Sequence, residues 1–204
     1  GNKPSLLVMS ATPIPRTLTL AAYGDMDESR ITEKPIGRLP IETRVMPINK
    51  EKELINRLKK KLNSKEKTYW VCPLIEESEE LDLQAATERY KKLNTIFKNK
   101  VLLIHGQLKE NEKETIMKKF KDEDYSILVA TTVIEVGIDI KEVTTLIVEH
   151  AERFGLAQLH QLRGRVGRSN TQSTCILLYK ENLGENAKKR IKTMKETNDG
   201  FKIA

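Results

Sequence analysis

From residue 43 onward, short apolar runs alternate with stretches that carry apolar residues three and four positions apart. The short runs are typical of buried strands, and the stretches between them are typical of amphipathic helices. A helix of this length can carry the chain from the end of one strand to the start of a parallel neighbour. The alternation therefore predicts an α/β fold, in which a parallel sheet has helices on both of its faces.

The predicted elements cover most of the chain after residue 42. The predicted strands are 43–48, 67–75, 101–104, 126–130, 145–148 and 174–179. The predicted helices are 50–62, 83–97, 110–120, a run that ends at Gly164, and a last helix that begins after residue 181. Ligands of such sheets bind beyond the carboxyl ends of the strands. The loops after Ile104, Ala130 and Val148 are therefore expected to share one rim with the arginines described next.

Residues 154–168 read FGLAQLHQLRGRVGR and contain three arginines, Arg163, Arg165 and Arg168. Their guanidinium groups are planar, permanently charged and suited to phosphate oxygens. The apolar residues before them recur at helical spacing, which predicts a helix packed on a core and ending at Gly164. Arginines fixed at a helix end predict a contact with a polyphosphate. A basic surface turn is the alternative.

The charge balance of the chain favours a nucleic-acid partner. The formal net charge is +7 and the isoelectric point is near 9.3. An enzyme of small molecules rarely needs such an excess, whereas binding to a phosphate backbone would account for it. A lysine-rich proteome is the alternative explanation.

The cysteines and histidines point away from a metal site. Cys72 and Cys175 each lie inside an apolar run, which predicts buried, reduced thiols. The three histidines are scattered along the sequence and no CxxC pair occurs, so no metal site is predicted.

The sequence contains no signal peptide and no apolar span of membrane length, so a soluble, cytoplasmic protein is expected.

The two ends of the chain predict a fragment of a longer protein. Residues 6–9 form a short apolar run, and two prolines stop it, so the hydroxyls of Ser10 and Thr12 are expected in the loop at its tip. Residues 24–42 contain glycines, prolines and acidic residues in place of the apolar run, which predicts a connection between two units. The chain thus starts on a core strand and stops just after the turn signal at residues 198–200.

Three of these stretches stand in an informative order. SATPIPR, VATTVIEVGID and QLRGRVGR resemble motifs III, V and VI of superfamily 2 helicases. Longer strings resemble the RecG family of branch-migrating DNA helicases over nearly the whole chain: SATPIPRTLTLAAYGDMD, YWVCPLIEESEELDLQAA, ATTVIEVGIDI, FGLAQLHQLRGRVGR and ETNDGFKIA. The transcription-repair coupling factor has a similar ATPIPRT and a similar arginine stretch, and is one alternative. A non-catalytic nucleic-acid-binding module is another.

The resemblance implies a RecA-like second motor lobe and a division of the chain. Residues 1–30 would be the tail of the first lobe, 31–42 a linker, 43–182 the second lobe, and 183–204 the start of the segment that converts lobe movement into translocation. The intact protein would couple ATP hydrolysis to translocation on duplex DNA. It would remodel forks and Holliday junctions in DNA repair and recombination.

The resemblance also implies roles at a nucleotide held between two lobes. Arg165 and Arg168 would be arginine fingers that stabilise charge on the γ-phosphate during hydrolysis. Gln161 would contact the phosphate or the attacking water. Gly137 and Asp139 would lie at the nucleotide, Asp139 as a candidate for the ribose hydroxyls or, alternatively, as the cap of a turn. Arg163 is expected to pack inside the protein or to pair with an acid.

A second set of roles concerns DNA and the coupling of the lobes. Thr131 and Thr132 would bind a DNA phosphate, or alternatively cap the following helix. His105 and Gly106 would lie near a DNA contact, and a plain turn is their alternative. In motif III, Ser10 and Thr12 would couple hydrolysis to lobe movement.

The chain lacks half of a nucleotide site. None of its ten glycines is followed by lysine, so no GxxxxGK[ST] phosphate loop exists in it. No DExH-type acidic pair ends an apolar strand either. ATP with Mg²⁺ would therefore be bound mainly by the first lobe, and the fragment alone is expected to be inactive. The expected partners are branched duplex DNA, the first lobe and a wedge domain of the same intact chain.

Overall fold

The computed structural model describes residues 39–74, 78–131, 140–167 and 170–196. Within them, six strands form one sheet: β1 (Glu42–Pro47), β2 (Lys67–Val71), β3 (Val101–Ile104), β4 (Ile127–Ala130), β5 (Val143–Val148) and β6 (Thr174–Tyr179). The helices are α1 (Glu51–Lys59), α2 (Glu79–Ile96), α3 (Glu110–Asp122), α4 (Leu156–Arg163) and α5 (Glu185–Glu196). Short 3₁₀ turns occupy Ile48–Lys50 and Ala151–Arg153.

All pairs in the sheet are parallel, and the strand order is β1-β6-β5-β2-β4-β3. The chain moves across the sheet in one direction from β1 to β3 and then returns through β4, β5 and β6. Right-handed crossovers place the helices of the outward path and of the return path on opposite faces. Accordingly, α1 and α2 pack on one face, while α3, α4 and α5 pack on the other. The predicted parallel α/β fold with helices on both faces is confirmed.

Each face of the sheet has its own apolar core. One core consists of α1 and α2 side chains around Trp70, which is 0% exposed, and the other contains Phe120, Leu159 and Leu162. Every residue of β4 and β5 is buried. Strands covered on both faces need apolar residues at successive positions. This is why their sequences appear as continuous apolar runs without alternation.

The largest differences between predicted and observed element boundaries, of three or four residues, are at three places. The predicted strand 67–75 ends at Val71. The predicted helix 83–97 begins four residues earlier, because the Ser78 hydroxyl caps its first turn by accepting from the Leu81 N–H. The predicted helix 50–62 ends at Lys59.

The two thiols are buried and free, as predicted. Burial raises the pKa of the Cys175 thiol to about 12, so it stays protonated at neutral pH. None of the described helices is both long enough and apolar enough to cross a membrane.

Candidate functional site

Helix α4 carries the arginine stretch, and local signals define both of its ends. The Gly155 N–H donates to Gln158 Oε1 at 3.0 Å, which closes the first turn. Leu159 and Leu162 are 1% and 0% exposed and hold the helix on the sheet. At the other end, the Gly164 N–H donates to the His160 carbonyl at 3.0 Å. The predicted end of the helix at Gly164 is confirmed.

The end of α4 lies at the amino ends of the strands. Arg163 Nη1 donates to Oγ1 of Thr43, the second residue of β1, and the Gly167 N–H donates to Oγ of Ser173, just before β6. A crossover helix runs antiparallel to the strands that it connects, so α4 returns the chain to this edge. Four residues, or roughly 13 Å, separate Thr43 from Pro47 at the carboxyl end of β1. For Arg163 and Arg165, the expectation that the arginines share a rim with the loops after Ile104, Ala130 and Val148 is therefore wrong.

Arg163 is a structural arginine, as expected. It is 2% exposed, and its Nη1 donates to Thr43 Oγ1 at 3.2 Å and to the Met194 carbonyl at 2.6 Å. These bonds join α4, β1 and α5. Burial lowers the pKa of its guanidinium, although arginine remains charged at neutral pH. Because Arg163 is covered, it is not available to a nucleotide in this conformation.

Arg165 and Gln161 are both half-buried and lie at this same end of α4. The Arg165 N–H donates to the Leu162 carbonyl at 3.0 Å, so Arg165 belongs to the turn that follows the helix. We call residues 164–167 the arginine turn. A guanidinium and a carboxamide four positions apart supply the planar donors that bind phosphate oxygens. This donor chemistry fits a polyphosphate; Arg168 lies outside the described residues.

Gly167 occupies a conformation that favours glycine. Its φ is +78°, and a Cβ on it would lie 2.9 Å from Ile41 Cγ1. We expect Gly167→Ala to lower the free energy of unfolding by about 1 to 3 kcal/mol, because the left-handed region strains an alanine and Ile41 must move. Urea unfolding of the two proteins measures this difference.

Gly184 provides the matched control for that substitution. Apart from the glycine itself and its two chain neighbours, no residue has an atom within 4 Å of the position that its Cβ would take. Gly184→Ala is expected to change stability by less than about 1 kcal/mol, because the position is open and only the preference of the α5 N-cap for glycine over alanine is lost. Equal effects of the two substitutions would contradict the strain assigned to Gly167.

Main-chain hydrogen bonds join the loops at the opposite edge of the sheet, which we call the carboxyl rim. The Thr131 N–H donates to the Ile104 carbonyl at 3.2 Å and the Cys72 N–H to the Ala130 carbonyl at 2.8 Å. The Glu149 N–H donates to the Val71 carbonyl at 2.9 Å. The loops after β2, β3, β4 and β5 therefore begin side by side. This part of the predicted rim is confirmed.

Three of the predicted DNA-binding residues lie on this rim. His105 is half-buried, Gly106 is exposed, and Thr131 is only 4% exposed. Burial lowers the pKa of the His105 imidazole, which favours its neutral form. In this conformation almost all of Thr131 is covered, whereas His105 and Gly106 are accessible to a phosphate backbone.

The other predicted site residues lie outside the described residues: Ser10, Thr12, Thr132, Gly137, Asp139 and Arg168. The described residues that flank positions 132–139 are at opposite edges of the sheet. Thr131 follows β4 at the carboxyl rim. Ile140 precedes β5 at the amino edge, where it is buried in the same core as Leu162 and Val166.

A buried ionic cluster supports the carboxyl rim, and the sequence did not predict it. Glu149 accepts a hydrogen bond from Trp70 Nε1 at 2.8 Å and forms an ion pair with Arg89. Arg89 also donates through Nη2 to Glu51 Oε2 at 2.7 Å, and its guanidinium lies 5.0 Å from the centroid of the Trp70 ring. The cluster thus connects α1, α2, β2 and the residue that follows β5. In the sequence, only the short apolar runs around Trp70 and before Glu149 signalled that these polar groups would need partners.

Charge pairing decides the ionisation of Glu51 in this cluster. Burial opposes the charge on its carboxyl group, but hydrogen bonds from Arg89 and Lys92 outweigh burial and lower the pKa of Glu51 to about 2. Glu51 therefore stays ionised over the whole physiological pH range. Among the described residues, no group of three His, Cys, Asp or Glu side chains could hold a metal ion.

Comparisons with known proteins agree with this arrangement. The model of the helicase conserved C-terminal domain matches residues 49–170. The ATP-dependent DNA helicase RecG of Acidithiobacillus ferridurans is 51% identical over 205 residues, which cover 100% of this chain and 30% of that protein. RecG of Escherichia coli (strain K12) is 47% identical over 206 residues, with the same two coverages. The chain thus spans about 30% of the length of these relatives.

Solved structures give the same result for the fold. A structure of RecG bound to a three-way DNA junction matches with a TM-score of 0.82 and 42% identity, over 96% of this chain and 26% of that chain. The Saccharomyces cerevisiae protein Dbp5 bound to RNA and ADP BeF3 matches with a TM-score of 0.64 and 17% identity, over 92% of this chain and 48% of that chain. The second likeness shows a shared fold alone. The RecA-like fold and the family resemblance predicted from the motifs are confirmed.

Proposed function

The chain belongs to the helicase conserved C-terminal domain family, and on that premise we propose that it is the second motor lobe of an ATP-dependent DNA helicase of the RecG type. The proposal rests on one observation above all. The half-buried Arg165 and Gln161 lie at one edge of the sheet, and the accessible His105 and Gly106 lie at the other. One lobe therefore offers separate surfaces for a nucleotide and for a nucleic acid.

At the nucleotide, Arg165 and Arg168 act as arginine fingers and Gln161 contacts the phosphate or the attacking water. When bound, ATP supplies the phosphoanhydride whose hydrolysis drives the motor. A first lobe holds ATP and Mg²⁺, since this chain has no phosphate loop in its sequence. Gly137 and Asp139 complete the contacts from this lobe. The helix end makes the fingers effective because Arg163 and the buried leucines fix its position on the sheet.

At the carboxyl rim, His105, Gly106 and Thr132 follow the phosphate backbone of duplex DNA; Thr131, which precedes Thr132, is almost covered in this conformation. The net charge of +7 favours this partner, because neutralising phosphates releases counterions. A relative of 42% identity whose structure contains a three-way DNA junction supports branched DNA as the substrate. Remodelling of such junctions is a step of DNA repair and recombination, and we place this activity in the cytoplasm. A wedge domain of the intact protein would take part in it.

The two surfaces communicate through the chain that joins them. In the sequence, residues 132–139 lie between Thr131 at the carboxyl rim and Ile140, which precedes β5. Ser10 and Thr12, in the tail of the first lobe at residues 1–30, couple hydrolysis to closure across the linker at residues 31–42. The second lobe spans residues 43–182, and residues 183–204 begin the segment that turns closure into translocation; α5 in this segment is bonded to α4 through the Met194 carbonyl.

A comparison of the chain alone with the full-length protein tests this function. We expect DNA-stimulated ATP hydrolysis and junction unwinding only in the full-length protein, because the chain alone supplies the fingers without a phosphate loop. Hydrolysis by residues 1–204 alone at the rate of the full-length protein would contradict the proposal. DNA binding that weakens steeply with salt, without any DNA-stimulated hydrolysis in the full-length protein, would favour a non-catalytic binding module instead.

A further inference from the structure

Ser173 joins the arginine turn to the start of β1. It is 2% exposed, and its hydroxyl accepts a hydrogen bond from the Gly167 N–H at 3.1 Å. Its carbonyl accepts from the N–H of Glu42, the first residue of β1, at 3.0 Å. A single buried residue therefore holds the turn that contains Arg165 and the strand that follows the segment 39–41.

Two further contacts attach the segment 39–41 to the same place. Gln172 Nε2 donates to the Pro40 carbonyl at 2.8 Å and to the Ser173 carbonyl at 3.1 Å. The Ile41 side chain lies so close to Gly167 that a Cβ there would meet it at 2.9 Å. The segment thus contacts the arginine turn through a side-chain hydrogen bond on one side and through direct packing on the other. We call Ile41, Gln172 and Ser173 the clasp.

We propose that the clasp is a positioning device, which sets the geometry of Arg165 according to the position of the chain entering β1. This inference rests on the proposed function, because it gives the clasp its effect through the arginine finger. Arg165 is two residues from Gly167, so a shift of the Gly167 backbone moves the start of the Arg165 side chain as well. The segment 39–41 is the last part of the chain before the lobe, so a displacement of the preceding residues reaches the arginine turn through it.

The sensitivity of such a finger to position makes the effect measurable. A misplacement of about 1 Å in a catalytic group can cost about 10²-fold in rate. Ser173→Ala removes the acceptor of the buried Gly167 N–H and frees the turn, while every atom of Arg165 remains. The chemistry is therefore expected to suffer more than the binding of either ligand.

The experiment compares Ser173→Ala with Thr144→Val in the full-length protein. Thr144 is 3% exposed and its Oγ1 donates to Glu66 Oε1 at 3.1 Å, so both substitutions delete a buried hydroxyl, but only one is in the clasp. We expect Ser173→Ala to lower kcat for ATP hydrolysis by about 10-fold or more, with KM for ATP, DNA affinity and thermal midpoint close to those of Thr144→Val. Equal kcat values for the two variants would overturn the proposal.

Gln172→Leu keeps the test decisive if Ser173→Ala does not fold. Gln172 is exposed, so its loss breaks the link to Pro40 with little effect on folding. We expect Gln172→Leu to lower kcat by less than Ser173→Ala does, about threefold. Gln172→Glu is not expected to restore kcat, because a carboxylate cannot donate to a carbonyl. Normal kcat in Gln172→Leu would also overturn the proposal.

Arg165→Ala separates a failure of this inference from a failure of the proposed function. If Arg165→Ala abolishes hydrolysis while both clasp variants retain normal kcat, the finger stands and the clasp is wrong. If Arg165→Ala itself retains normal turnover, the proposed function of the arginine turn fails, and the clasp has nothing to position.

Discussion

Replacing Arg165 with alanine in the full-length protein is expected to lower the rate of DNA-stimulated ATP hydrolysis by about 10³-fold or more. The loss arises because an arginine finger stabilises charge that develops on the transferred phosphoryl group, and alanine offers no donor. Arg168→Ala is expected to have an effect of the same order. DNA affinity should change little in both variants, because the arginine turn and the carboxyl rim lie at opposite edges of the sheet.

Arg57→Ala is the matched control for this substitution. Arg57 is an exposed arginine on α1, on the other face of the sheet, where it pairs with Glu53. The Arg57→Ala substitution removes the same charge from the protein but leaves the arginine turn unchanged, so the turnover of ATP should remain normal. Arg165→Lys sharpens the test, since lysine keeps the charge but lacks the planar fork and should restore little activity. Near-normal turnover in Arg165→Ala would remove this residue from the finger role.

Replacing Arg89 with methionine is expected to lower the free energy of unfolding by about 3 to 5 kcal/mol. Arg89 lies between the carboxylates of Glu51 and Glu149, and its side chain is 12% exposed. Methionine fills much of the same volume but leaves the buried Glu149 and the half-buried Glu51, which keeps its ion pair with Lys92, without their shared partner. The Trp70 ring also loses the guanidinium that lies against it. Denaturant unfolding followed by tryptophan fluorescence measures the change beside this ring.

Arg57→Met shows that burial, rather than the ion pair as such, sets this magnitude. The Arg57 to Glu53 distance is 2.7 Å, similar to the Arg89 to Glu51 contact, but its side chains are 54% and 51% exposed. Water screens such a pair, so its loss should cost less than about 1 kcal/mol. A similar cost for Arg57→Met and Arg89→Met would refute the assignment of a buried cluster around Trp70.

The sequence was informative where the cause of a structure is local. The end of α4 at Gly164 followed from apolar spacing and one glycine, and the strand runs in β4 and β5 followed from burial on both faces. The early start of α2 was missed, although the Ser78 cap that explains it is also a local signal. The predicted helix began only at residue 83, whereas the Ser78 cap and the helix dipole both favour the acidic residues of the first turn in a helix.

By itself, the sequence determined the parallel α/β fold, the two buried thiols and the resemblance to helicase motors, because periodicity, apolar content and motif order are properties of the chain alone. Only the tertiary structure decided that the arginine turn lies at the amino edge, away from the carboxyl rim. It also decided which groups Arg163 bonds to, Thr43 and the Met194 carbonyl, and that Ser173 holds the turn. The physical reason is sequence separation: Arg163 contacts Thr43 across 120 positions and Trp70 contacts Glu149 across 79. No local pattern encodes such contacts, which exist only after the sheet has brought distant strands together.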